Sequence, residues 1–144
     1  MSDDKVTAFY IRTANKEEGS VEFQKERLTK YCRIKEIKNY EFYIDEGYSG
    51  NNMERPALQK LIKDALENKI SNCVICDLGR FSRSSKKAFH IIYDIFIPNN
   101  VDIISLVESF DSSTPVGEYI LENYAMLEAE LGKRVKELCQ GIKK

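Results

Sequence analysis

The stretch Val6-Thr-Ala-Phe-Tyr-Ile-Arg12, with the polar run Thr13 to Gly19 and then Ser20-Val-Glu-Phe-Gln24, decides the fold. Its first seven residues are short, β-branched and aromatic, with no charge before Arg12, and read as a buried strand. Ser20 stands where an N-cap belongs, ahead of a helix predicted from Val21 to about Lys35. Strand, loop and helix in that order open a βαβ unit, which demands a parallel strand next.

The rest of the chain repeats that grammar. Tyr40-Glu-Phe-Tyr-Ile44 is a second strand, followed by a Gly/Ser/Asn-rich loop from Asp45 to Arg55. Pro56 suits the first turn of a helix reaching about Glu67. Cys73-Val-Ile-Cys-Asp77 is a third strand, and Ser84 or Ser85 can cap a helix that Pro98-Asn-Asn100 stops after about Phe96. Val101 to Val107 is a fourth strand. A loop with Pro115 and Gly117 leads into a last helix, predicted over 117–144. The expected fold is therefore α/β: a three-layer α/β/α domain with a mostly parallel central sheet, one domain over 1–144, and a long C-terminal helix. In such sheets ligand-binding groups gather beyond the carboxyl ends of the strands. That rule selects three loops: 13–20, 45–55 and 78–84.

Composition sets limits on the function. The formal net charge is -1 and the sequence pI about 5.9, so bulk charge does not announce a nucleic-acid binder. No signal peptide or long apolar run is present, and no membrane partner is expected. Cys73 and Cys76 form a C-x-x-C, but His90 is the only histidine and no second such pair exists. A zinc site would need two more ligands, so both thiols read as small apolar residues of a buried strand. Unpaired cysteines fit a reducing cytosol, and a cytoplasmic location is expected.

The informative residues are arginines. Arg12 closes the first strand, Arg55 closes the second loop, and Arg80 and Arg83 lie in Leu78-Gly-Arg-Phe-Ser-Arg83. All four belong near strand ends that share one sheet edge. Arginine makes bidentate contacts to phosphate, and converging guanidinium groups stabilise charge developing in phosphoryl transfer. No P-loop, G-x-G-x-x-G or H-E-x-x-H motif competes for the site. Asp45, Glu46, Asp77 and Asp111 can in principle bind magnesium, but carboxylates at loop starts more often cap and turn. No metal is expected.

These residues resemble a family. Tyr10-x-Arg12-x-Ala14 is similar to the Y-x-R-x-S opening of the serine recombinases (resolvases and invertases). Ser20-Val-Glu-Phe-Gln24 is similar to their S-x-x-x-Q. Tyr43-Ile-Asp-Glu-Gly-Tyr-Ser-Gly50 with Met53-Glu-Arg-Pro-Ala-Leu58 resembles the D-x-G-x-S-G…R-P-x-L block. Leu78 to Arg83 resembles L-[DS]-R-[LF]-x-R, and Phe110-Asp-Ser-Ser-Thr-Pro-Val-Gly117 resembles the segment before the long helix. Five blocks in order span Val6 to Arg134.

The resemblance implies DNA strand cleavage and exchange through a covalent phosphoserine, within a dimer that becomes a tetramer. It implies no cofactor, because the phosphodiester bond energy is kept. It gives phosphate roles to Arg12, Arg80 and Arg83, and supporting roles to Tyr10, Gln24, Asp45, Ser49 and Arg55. The departure is Ala14, which stands at the nucleophile position; a methyl group forms no phosphoester. Gly79 stands where many members carry aspartate, and Glu128 where the last helix usually carries arginine. Family members generally carry a separate DNA-binding region after that helix.

Two origins account for Ala14. One is a serine-to-alanine change that keeps a recombinase inert; intact Arg12, Arg80 and Arg83 favour it. The other is a naturally dead relative that regulates by dimerising or by binding DNA, to which Glu128 lends some weight. A flavodoxin-like nucleotide or signalling domain is a third reading, but it leaves the arginines without a role. In the last helix, apolar residues recur at Ile120, Tyr124, Leu127, Leu131, Val135, Leu138 and Ile142, a stripe suited to the core or to a partner helix. The basic end at Lys133, Arg134, Lys136, Lys143 and Lys144 suits either DNA phosphates or a solvated helix terminus.

Overall fold

In the computed structural model, residues 5–14, 20–49 and 54–123 are described. Strand β1 (Val6–Thr13) leads to α1 (Val21–Ile34), β2 (Tyr40–Glu46), α2 (Pro56–Leu66) and β3 (Ile70–Ile75). A 3₁₀ turn (Leu78–Arg80) precedes α3 (Ser85–His90), which runs on as a π-helical turn over Ile91–Phe96 and a 3₁₀ turn over Ile97–Asn99. Strands β4 (Asp102–Ser105) and β5 (Phe110–Asp111) follow, and the chain is helical again from 115 to 123.

The sheet order is β2-β1-β3-β4-β5, parallel except for the β4–β5 pair. The α/β class and the mostly parallel sheet are as the sequence predicts. β5 was not foreseen: two residues carry no periodicity. The third strand begins at Ile70 and ends at Ile75, earlier than the predicted Cys73–Asp77 at both ends. The fourth is shorter than Val101–Val107, because β5 turns back after a four-residue turn.

Alternation along β1 divides the core. Ala8 and Tyr10 pack with Leu58, Leu61, Phe81, Ile91, Phe96 and the residues around them on one face. Phe9 and Ile11 pack with Leu28 and Cys32 of α1 on the other. Helices therefore cover both faces, completing the three layers. Cys73 falls in the first cluster and Cys76 in the second, so their side chains serve opposite faces and do not form a ligand pair. Ser20 caps α1 by accepting from Phe23 N at 2.9 Å, and Ser84 caps α3 by accepting from Lys87 N at 3.4 Å.

Strand order reverses between β1 and β3: the chain leaves β1 to one side for β2 and returns past it to β3. A parallel sheet opens a crevice beyond the carboxyl ends of two such strands. The residues following Thr13 and Ile75 border it.

Leu121 is the buried residue of the last helix and joins the first core cluster, while Ile120 is 41% exposed. The Ile120 stripe therefore begins on the side away from the core. Its members from Tyr124 onward, Cys139, Glu128 and the basic terminal segment lie outside the described residues.

Candidate phosphate site at the carboxyl edge

The site is built on Arg12. Its side chain lies on the Tyr10 face of β1 and is fully buried. Nε donates to Arg80 O at 3.1 Å, Nη2 to Gly79 O at 2.9 Å and Nη1 to Tyr48 O at 3.0 Å. One guanidinium thus ties together the ends of all three loops that the strand-end rule selects. Burial first, then the neighbouring Arg80, Arg55 and Arg83 charges, lower its pKa to about 10, so it remains a cation at neutral pH.

Arg80 returns the contact. Its Nη1 donates to Arg12 O at 2.8 Å, and its Nε pairs with Asp77 Oδ1 at 3.3 Å. Nη2 has no protein partner among the described residues. Gln24, buried on α1, also donates to Arg12 O, at 3.1 Å; its own Oε1 is buried without a partner among the described residues.

Arg55 is fully buried behind the site. Nη1 donates to Arg80 O at 2.9 Å and Nη2 to Phe81 O. Its guanidinium carbon lies 5.8 Å from the Tyr10 ring centre, and Phe81 stacks on Tyr10 at 5.7 Å. The carbonyls of residues 79, 80 and 81 thereby face two guanidinium groups, which fixes the backbone that carries Arg80.

Asp45, at the end of β2, accepts from Tyr10 Oη at 2.7 Å and from the α2 amides of Ala57 at 2.8 Å and Leu58 at 3.0 Å. Arg55, the N-cap of α2, makes no side-chain cap bond, so Asp45 caps that helix from the neighbouring strand. Burial raises the Tyr10 pKa well above its ordinary value, and the Asp45 contact adds to the rise. Gly47, with φ +86°, turns the chain back so that the Gly47 and Tyr48 amides meet Thr13 O at 2.6 and 3.1 Å.

The expected site residues separate by exposure. Tyr10, Arg12, Gln24, Asp45 and Arg55 are buried, Arg80 is half-buried, and Ser49 and Arg83 are exposed. Arg12 and Arg55, read from sequence as converging near strand ends, are enclosed and donate to the backbone carbonyls of Tyr48, Gly79, Arg80 and Phe81. Ala14 lies one residue past the end of β1 and is half-buried. Strand alternation does not reach it. Thr13 is buried and Ser20 caps α1, so neither hydroxyl is set out for attack.

Two carboxylates escape a reading by motif. Glu108, between β4 and β5, accepts from Leu78 N with both oxygens, at 3.3 and 3.4 Å, and from the Ser105 hydroxyl. It pins the start of the 3₁₀ turn that carries Arg80. Its position just past a strand on the site-forming edge was the available signal. Asp77, read as a turn or magnesium carboxylate, pairs with Arg80 instead. Among the described residues no group of three or more metal-ligating side chains converges, and no helix is long and apolar enough to cross a membrane.

Comparison with known proteins agrees with this geometry. The chain matches the family "Resolvase, N terminal domain" over residues 7–144. It is 33% identical to the N-terminal catalytic domain of TP901-1 integrase, with a TM-score of 0.83 over 92% of this chain and 99% of that one. A resolvase family site-specific recombinase from Streptococcus pneumoniae shares the fold at 24% identity and a TM-score of 0.70, over 97% and 98% of the two chains. The "Putative DNA recombinase" of Bacillus subtilis (strain 168) is 32% identical over 115 residues, 77% of this chain but 22% of that protein's length. "Uncharacterized immunity region protein 3" of Bacillus phage phi105 is 32% identical over 73 residues, 48% of this chain and 89% of that protein.

Proposed function

The chain belongs to the resolvase family of serine recombinase catalytic domains, and on that premise we propose that it binds a DNA phosphodiester for site-specific recombination while Ala14, at the nucleophile position, leaves it unable to cleave. The observation that carries this reading is the place of Arg80. Its guanidinium bonds the carbonyl two residues before Ala14 and, among the described residues, leaves Nη2 without a protein partner. Arg83 is exposed three residues on, and the buried Arg12 and Arg55 add positive charge behind it. A phosphate entering from the sheet edge meets a preorganised cationic surface. At position 14 it meets a methyl group in place of a serine hydroxyl.

In the serine form, the hydroxyl oxygen would attack phosphorus, the 3′ or 5′ oxygen of the broken strand would leave, and its attack on the phosphoserine would rejoin the strand. Atoms and bond energy balance without a cofactor. Here the roles that survive are binding by Arg80 and Arg83, and support by Tyr10, Arg12, Gln24, Asp45, Ser49 and Arg55. DNA and further copies of the chain are the partners, as a dimer and, in the synapse, a tetramer.

The phage relative favours a second reading. That protein aligns over 89% of its own length with part of this domain, and on this reading the Ala14 chain is a naturally dead relative that regulates by pairing with an active recombinase.

The test is Ala14→Ser in a chain extended by a DNA-binding region, incubated with recombination-site DNA. Covalent protein–DNA linkage supports a disabled enzyme. Inertness of the serine form supports the regulator, and linkage formed by the Ala14 chain itself would refute both.

A further inference from the structure

We propose that Asp77 is the positioning residue for Arg80, and that Gly79 provides the space in which the Asp77 carboxylate works. The assignment deepens the phosphate-binding reading above. Asp77 is the N-cap of the Leu78–Arg80 turn, with extended backbone (φ -153°, ψ 162°), yet its side chain makes no cap bond. An aspartate at an N-cap ordinarily accepts from the amides of its own turn. Here Glu108 supplies that acceptor from across the sheet edge, at Leu78 N. The Asp77 carboxylate is thereby released for another task.

That task is visible in the contacts. Oδ1 lies 3.3 Å from Arg80 Nε, while Arg80 Nη1 holds Arg12 O at 2.8 Å. A planar guanidinium fixed at Nε and at Nη1 has its orientation set, and Nη2 is the nitrogen left to meet a ligand. Without Asp77 the group would hinge about the single Arg12 contact. The pair is half-buried, with side-chain exposures of 13% for Arg80 and 30% for Asp77. Solvent screens its contribution to stability, so orientation rather than folding is the quantity it controls.

Gly79 completes the argument. A Cβ built there meets Asp77 Oδ1 at 2.8 Å and no other atom outside the Asp77 side chain within 4 Å. Any side chain at 79 therefore displaces the carboxylate, not the backbone. It also follows that a carboxylate carried by residue 79 would grow into the same volume.

The experiment uses the full chain with Ala14 in place. The Arg80 Nε–H resonance is followed by ¹⁵N NMR, and inorganic phosphate is titrated against the intact chain, D77N, and D77N/G79D, with D77E as a second probe of the same carboxylate. D77N is expected to shift the Arg80 resonance and weaken phosphate binding roughly three- to tenfold, the scale of one charge-assisted hydrogen bond. D77N/G79D is expected to restore both. An unmoved Arg80 resonance in D77N and D77E, or a loss that G79D does not reverse, overturns the proposal. If the serine form never links to DNA, the recombinase reading fails, and the Arg80 resonance still decides the role of Asp77.

Discussion

Arg12 and Arg80 hold each other by exchange: the guanidinium of each donates to the backbone carbonyl of the other, at 3.1 Å from Arg12 Nε and 2.8 Å from Arg80 Nη1. The two residues are 68 positions apart, one at the end of β1 and the other in the 3₁₀ turn that follows β3, on either side of the crevice. The same pair of bonds therefore closes the fold and shapes the site, and a change at either residue is felt in both.

Arg12→Ala is expected to destabilise the domain strongly. It strands the carbonyls of Tyr48 and Gly79, to which Arg12 donates, while Arg80 O keeps its bond from Arg55, and a buried unsatisfied group costs about 1–3 kcal/mol. A loss on the order of 3 kcal/mol or more should appear in urea unfolding. Arg12→Lys should recover little, because one ammonium cannot reach three carbonyls set in a fork. An unchanged midpoint for either variant would contradict the structural role assigned here.

Asp45 and Tyr10 are expected to be coupled. Asp45→Ala removes the cap of α2, a loss of about 0.5–2 kcal/mol, and leaves the buried Tyr10 hydroxyl without its acceptor. Tyr10→Phe should cost less, because Asp45 keeps both amides. In a double-mutant cycle the two losses should fall short of additivity by about 0.5 kcal/mol or more. Strict additivity would show that the 2.7 Å contact contributes nothing.

How much of this was legible in the sequence follows from the range of the interactions. β1, α1, β2 and α2 announce themselves through local patterns: an apolar run, Ser20 at an N-cap, Pro56 at a first turn. The arginines were found because they cluster near predicted strand ends. Their burial was not legible, since the carbonyls that enclose Arg12 belong to residues 36 to 68 positions away. Glu108 was missed for the same reason, its contact with Leu78 lying 30 positions away, whereas Asp77 pairs with a residue only three positions on. Each looks like an ordinary loop carboxylate until the turn between them is folded.

Alkaline pH should destabilise the domain from about pH 9. Burial raises the thiol of Cys76 to about 11 from its ordinary 9.0 and pushes Cys73 up as well. Burial likewise raises Tyr10 and Tyr43 above 10.0. The unfolded chain loses these protons first, so it binds fewer than the native state and stability falls as pH rises. Arg12 acts in the opposite sense, but only above about 10, where the native state releases its proton before the unfolded chain does. The urea midpoint should therefore drop between pH 8 and 10, and less steeply in C73A/C76A. An equal slope in the double variant would remove the thiols as the cause.

Gly117 should tolerate no side chain. A Cβ there would stand 1.9 Å from Asp111 O and 2.6 Å from Asp111 C, both backbone atoms. Gly117 N also donates to Thr114 Oγ1, which donates to Asp111 O. Gly117→Ala must push the start of the last helix away from β5, at a cost of about 1–3 kcal/mol for overpacking. Denaturant unfolding measures the loss, and an unperturbed G117A would mean that the helix start is free to shift.

Self-association should run through the outward side of that same helix. Val116, Tyr119 and Ile120 are 68%, 66% and 41% exposed, at the three- and four-residue steps that place them on one side, while Leu121 faces the core. The apolar spacing continues in sequence through Tyr124, Leu127 and Leu131, the pattern by which helices pack on one another. A second copy of the chain supplies a matching stripe, because a two-fold interface is self-complementary. Ile120→Glu and Tyr119→Glu leave the core contacts of Leu121 intact, so unfolding midpoints should stay within about 0.5 kcal/mol of the parent, as for other surface changes. Sedimentation velocity should show a concentration-dependent dimer for the parent chain and a monomer for Y119E/I120E. A dimer that survives both substitutions would place the interface elsewhere, and a parent chain that is monomeric at all concentrations would remove the helix as a site of pairing.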